Sequence, residues 1–183
     1  PASSRQMKTL RYTENQIHDF AWFADKRFHV LKDKVKLPDS GREVTIWAMF
    51  TNQEAPLWMN ARSYVNHAIL YFSKWIGDYP YNTFTAIQSA LNSGSGMEYP
   101  GLTVIGLAKD PYLLDEVLAH EICHNWFYSA LGSNERRYPF MDESIVSAYE
   151  SRYMDERYPG KKLWEIDFKN WKLAKFFHIE EMP

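Results

Sequence analysis

Residues His120-Glu121-Ile122-Cys123-His124 set two imidazoles four positions apart with a carboxylate directly after the first, and Glu143 follows after eighteen intervening residues. On an α-helix, positions i and i+4 share a face, so both histidines can reach one cation. That is half of a zinc site. Glu121 leaves the helix about 100° further round, too far to share the metal but near enough to reach a water bound to it, which suits a general base. The bland alternative is a pair of satisfied histidines at the margin of a core, because a third ligand is still required. Cys123 projects from a different side of the helix than either histidine and is expected to be a small buried thiol.

Elements must exist to hold these groups. A helix over 111–131 is expected, capped by Asp110, opened by Pro111 and followed by Gly132. Its buried stripe would carry Leu113, Leu114, Val117, Leu118 and Phe127. A second helix, from Met141 to Tyr158, is stopped by Pro159-Gly160 and carries Glu143 in its first turn, where the helix dipole alone favours a carboxylate. Glu150, seven residues on, returns to the same face, either to orient a metal ligand or as a solvated side chain.

Upstream, residues 8–53 read as β structure. Leu31, Val35 and Leu37 alternate with lysines, the turn Pro38-Asp39-Ser40-Gly41 follows, and Val44, Ile46, Ala48 and Phe50 alternate with Thr45 and Trp47, which is a hairpin with one wet face. His18, in an aromatic cluster, is expected to pack or cap. A helix is expected over 57–76, with His67 exposed or structural and Gly77 and Pro80 ending it. Strands are expected over 84–91 and 102–107. Between them, Gly94, Gly96, Glu98, Pro100 and Gly101 form either a plain turn or an edge strand whose backbone comes close to something. A last amphipathic piece spans 168–178.

The 183 residues are 45% hydrophobic and carry 21 basic against 23 acidic side chains, so the chain can bury a sizeable core and lacks the basic stripe of a nucleic-acid binder. No apolar run is long enough to cross a bilayer. With a single cysteine, no internal disulfide can form. The opening Pro1-Ala2-Ser3-Ser4-Arg5 reads as the start of an excised piece.

His-Glu-x-x-His, eighteen residues and then Glu resembles the zinc pattern of the gluzincin metallopeptidases, typified by aminopeptidase N and the bifunctional leukotriene epoxide hydrolase. Gly96-Met97-Glu98 is similar to the family's Gly-x-Met-Glu-Asn motif, with Tyr99 in place of the asparagine. Asp142-Glu143-Ser144 stands where the family has Asn-Glu-Gly, and Ile17-His18-Asp19-Phe20-Ala21-Trp22 resembles the hand-over from its N-terminal β domain. The resemblance implies an α+β, thermolysin-like catalytic domain over 29–183, a small mixed sheet packed on helices and truncated at its C-terminus, after the tail of a β domain over 1–28. It implies one zinc ion on His120, His124 and Glu143, with Glu121 as base. Glu98, with Gly96 and Met97, would bind the free N-terminus of a peptide, giving an aminopeptidase that uses metal-activated water. The family's transition-state tyrosine has no match here; Tyr149 and Tyr153 read as packing residues, and the piece alone is expected to have little activity. A non-catalytic zinc- or peptide-binding homologue and an epoxide hydrolase are the alternatives.

Overall fold

The computed structural model of the chain describes residue 7 and residues 9–160. Its first two strands, β1 (His29–Lys36) and β2 (Glu43–Phe50), form the expected antiparallel hairpin, with Val35 facing Val44 and Leu31 facing Ala48. Val44, Ile46, Ala48 and Phe50 are buried, while Lys32 on the wet face lies over the Trp47 ring at 4.7 Å. The alternation has therefore sorted one face to the core and one to water.

Residues 9–28 contain no strand, although β structure was expected from residue 8. Most of this segment is exposed, and among the described residues no neighbouring strand takes its backbone hydrogen bonds. An extended pattern becomes a ladder only where a partner pairs with it.

The expected 57–76 helix is split into α1 (Ala55–Trp58) and α2 (Ala61–Ile76), separated at Met59 and Asn60. Ala61, Tyr64, Val65, Ala68, Ile69 and Phe72 on α2 are buried at helical spacing, and Gly77, at φ 125°, ends it in a conformation that favours glycine. His67 is exposed, as expected, and faces the Ser63 carbonyl. This crossover lets β3 (Thr83–Gln88) pair parallel to β2. The sheet continues through β4 (Gly96–Tyr99) and β5 (Leu102–Ile105), in the order β1-β2-β3-β5-β4, so the glycine-rich stretch is an edge strand.

The helix that carries both histidines, α3 (Pro111–Cys123), packs against α2, β4 and β5 on one side and α4 (Phe140–Arg157) on the other. It begins as expected, with Asp110 Oδ1 accepting from Leu113 N–H at 2.8 Å. It ends earlier than residue 131. Asn125 turns its side-chain amide back onto the Ile122 carbonyl at 2.9 Å, and Tyr128 takes a φ of 117°, so the chain leaves the helical path just beyond His124. Leu114, Val117 and Leu118 are buried, whereas Leu113 and Phe127 are half-buried. Cys123 is the expected buried thiol, its pKa pushed up by burial. Tyr153 is buried and Tyr149 half-buried, both packed on the Phe72 ring. The 168–178 piece lies outside the described residues. Among the described residues no helix is long and apolar enough to cross a membrane.

Candidate metal centre

His120 is in the last turn of α3, and His124 caps it with φ −60° and ψ −17°, so the four-residue spacing stays helical and both rings leave the same side. α4 runs back antiparallel to α3 and presents Glu143 from its first turn. His120 Nε2 lies 3.1 Å from Glu143 Oε2, His124 Nε2 lies 3.7 Å from the same oxygen, and the two Nε2 atoms are 3.2 Å apart. A tetrahedral zinc with bonds of about 2.0–2.2 Å has ligand-to-ligand edges of roughly 3.3–3.6 Å. The three atoms fit that ion.

The proton positions fit it too. His120 Nδ1 lies 2.8 Å from Glu150 Oε2, and His124 Nδ1 lies 3.1 Å from the Phe127 carbonyl oxygen. Both partners only accept, so each Nδ1 carries the hydrogen and donates it, and each neutral ring turns its Nε2 lone pair inward. When both rings are neutral in this tautomer, two imidazole lone pairs and a carboxylate oxygen converge with no hydrogen among them. Such a set calls for a cation. Burial lowers the pKa of His120, but its hydrogen bonds to Glu143 and Glu150 outweigh this and raise it well above the usual imidazole range, so a proton and a metal ion compete for Nε2. Burial raises the pKa of Glu143, yet its hydrogen bonds to His120 and His124 prevail and hold it well below the carboxylate range.

Glu121 lies beside this triad and lines the same cleft as His120 and Glu143. It is 5% exposed, and its Oε2 has no hydrogen-bond partner among the described residues. Its side chain occupies the space that a β-carbon on Gly96 would need, which ties the glycine of β4 to the carboxylate of α3. Glu98, two residues along β4, is also buried, and one oxygen of each carboxylate lies within 4.8 Å of the other and of a His124 nitrogen. Burial pushes Glu121 up to about 8, lowered somewhat by His120 and raised further by Glu98 and Glu143. Burial likewise pushes Glu98 up to about 7, against the pull of His124.

A cleft of about 730 Å³ opens beside these groups, lined by Gly96, His120, Glu121, Glu143 and Glu150 together with Tyr112 and Val117. Met97 and Glu98 do not line it. The Met97 carbonyl instead accepts from the Thr103 hydroxyl at 2.9 Å within the sheet.

Two positioning residues escaped the sequence reading. Asn125 Oδ1 accepts from Gly101 N–H at 2.9 Å and from the Tyr79 hydroxyl at 3.2 Å, pinning the β4–β5 turn to the end of α3. Asp115, 0% exposed, accepts from the Tyr153 hydroxyl at 2.8 Å, the Tyr158 hydroxyl at 2.7 Å and Arg157 Nε, tying α3 to the far end of α4. No spacing rule in the sequence marks either residue.

No protein-family model matches the chain, and no curated protein sequence matches it significantly. Solved structures do. An M1 zinc metallopeptidase from Deinococcus radiodurans superposes with a TM-score of 0.56 at 16% identity, over 71% of this chain and 29% of that one. The chain shares the fold of M1 zinc metallopeptidases. A mutant of the Deinococcus enzyme bound to a Tyr-Ser-Ala substrate gives a TM-score of 0.53 at 15% identity, over 71% of this chain and 29% of the enzyme. Aminopeptidase A of Legionella pneumophila, in complex with aspartic acid, gives 0.56 at 14% identity, over 70% of this chain and 16% of that one. The chain thus spans less than a third of each of these proteins.

Proposed function

We propose that the chain carries the metal centre of a zinc aminopeptidase, with His120, His124 and Glu143 as ligands. The observation that carries the reading is the convergence of two inward Nε2 lone pairs and the Glu143 oxygen, with both tautomers set by acceptors on the far side of each ring. Three protein ligands leave a fourth position for water or substrate, as in catalytic rather than structural zinc sites. When bound, zinc supplies Lewis acidity, which brings the pKa of water down to about 7.

The chain's own residues do the rest. Glu121, beside the triad and lining the cleft, takes the proton of the attacking water on its carboxylate and returns it to the leaving amine. In the metal-free chain burial raises its pKa to about 8, and a bound cation would draw it down toward the range of a base that is ionised near neutral pH. Glu150 keeps the His120 ring oriented. Glu98, buried next to Glu121 and set behind the cleft lining, is the carboxylate proposed for the α-ammonium of the substrate, a charge-assisted contact that selects a free N-terminus. Gly96 keeps the β4 backbone close to the reacting groups, and Met97 holds β4 against β5.

The fold of the aminopeptidases above supports the peptide-substrate class. The test compares hydrolysis of peptides with free and acetylated N-termini by a protein that contains this chain. Glu121→Gln is expected to keep one zinc per chain and lose turnover, and loss of the metal would contradict its role. Glu98→Ala is expected to abolish the preference for free N-termini, and unchanged discrimination would remove the amine anchor.

A further inference from the structure

The chain leaves the metal helix through Tyr128, whose φ of 117° lies outside the left-handed well that non-glycine residues occasionally occupy. Gln16, the other non-glycine residue with positive φ among the described residues, sits in that ordinary well at 58°. A bulky residue held in a sparsely populated conformation persists only where its surroundings over-determine it, and such residues gather at functional sites.

The surroundings of Tyr128 can be named. Its N–H donates to the Leu131 carbonyl at 3.2 Å. Its own carbonyl accepts from His18 Nε2 at 3.0 Å, and the His18 ring meets the Tyr128 ring edge-on, with centroids 4.6 Å apart. The peptide plane that carries the Tyr128 N–H also carries the Phe127 carbonyl, on its opposite side. That carbonyl is the acceptor for His124 Nδ1, at 3.1 Å. Rotation at Tyr128 φ therefore swings the group that fixes the tautomer and angle of a proposed zinc ligand.

We propose that His18 is a positioning residue for the metal centre: it clamps Tyr128 by carbonyl and ring, and so holds the Phe127 carbonyl on His124. It touches none of the three ligands itself. The inference rests on the zinc reading above and adds to it a residue 110 positions away from its partner, in the segment before the first strand. Through this contact the seating of that segment on the domain is coupled to metal affinity.

The test is a double-mutant cycle with zinc affinity, read by chelator competition, and the visible spectrum of the cobalt-substituted chain. Glycine takes positive φ without strain, so Tyr128→Gly removes the need for a clamp. His18→Ala alone is expected to weaken zinc binding about tenfold, the low end of what losing an outer partner of a metal ligand costs, and to shift the cobalt bands. In the Tyr128→Gly background the same change is expected to alter affinity by less than about twofold, with the cobalt bands restored, because the coupling has been removed. Equal weakening in both backgrounds, or no weakening in the first, overturns the inference while leaving the zinc reading standing. A wild-type chain that binds no zinc overturns both.

Discussion

Asparagine has nearly the shape of aspartate, yet Asp115→Asn is expected to cost almost as much stability as Asp115→Ala. The carboxylate is fully buried and receives three donors: the hydroxyls of Tyr153 and Tyr158 and Nε of Arg157. An amide offers one oxygen and one NH₂: with the oxygen turned to Arg157 and Tyr158, the Tyr153 hydroxyl must rotate to accept, and the guanidinium keeps a hydrogen bond but loses its counter-charge. A hydroxyl can rotate to accept, but a guanidinium cannot. Arg157 is left as a largely buried cation, its side chain 17% exposed beside a position that is 0% exposed. Removing one partner of a buried pair costs about 3–5 kcal/mol. For a domain of this size each kcal/mol moves Tm by roughly 2–4 °C, so a fall of about 6–20 °C is expected. Urea unfolding and a thermal scan of both variants measure it. The double variant Asp115→Leu with Arg157→Leu should recover much of the loss, since exchanging a buried pair for apolar groups is often neutral. An Asp115→Asn protein within about 1 kcal/mol of wild type would refute the reasoning, because the three donors could not then all depend on that carboxylate.

Two further outcomes follow from the site. Gly96→Ala puts a methyl group into the Glu121 side chain; zinc retention should be unchanged and any peptide turnover should fall about a hundredfold, the scale of an ångström-sized misplacement, so unchanged turnover would count against Gly96 as the cradle of the base. In the metal-free chain, the pKa of Glu121 is raised to about 8 and that of Glu98 to about 7, above the ordinary carboxylate range. The folded state therefore binds more protons than the unfolded chain between about pH 4.5 and 8. Stability is fully present below that window and falls as pH rises through it. Urea midpoints measured across it should decline, His120, whose pKa is also raised, adding to the fall above about pH 6.5; the decline should be shallower but not absent in Glu121→Gln, and a flat profile in wild type would contradict the burials.

The sequence made those elements legible whose signals are local. The β1–β2 hairpin followed from alternation, the start of α3 from Asp110 and Pro111, and the buried face of α2 from its helical spacing. What it did not reveal depends on distant partners. Residues 9–28 carry strand-compatible residues but find no strand to pair with, and α3 stops early because Asn125 and Tyr128 bend the chain through contacts with Gly101, Tyr79 and His18. The His120, His124 and Glu143 set was readable because two ligands sit at helical spacing and the third opens the next helix. Asp115, Asn125 and the Phe127 carbonyl were not, since a buried aspartate, a buried asparagine and a backbone oxygen have no spacing rule. The split at Met59 and Asn60 has no comparable signal, and nothing in the structure beyond the local hydrogen bonds explains it.

The most direct measurement is zinc per chain by elemental analysis after dialysis against metal-free buffer, for wild type and for Glu143→Ala. Wild type should retain close to one zinc ion, and the variant, keeping both imidazoles but lacking the carboxylate from α4, should retain far less. A wild-type chain without zinc, or a variant holding as much as wild type, would mean that these three side chains do not share an ion.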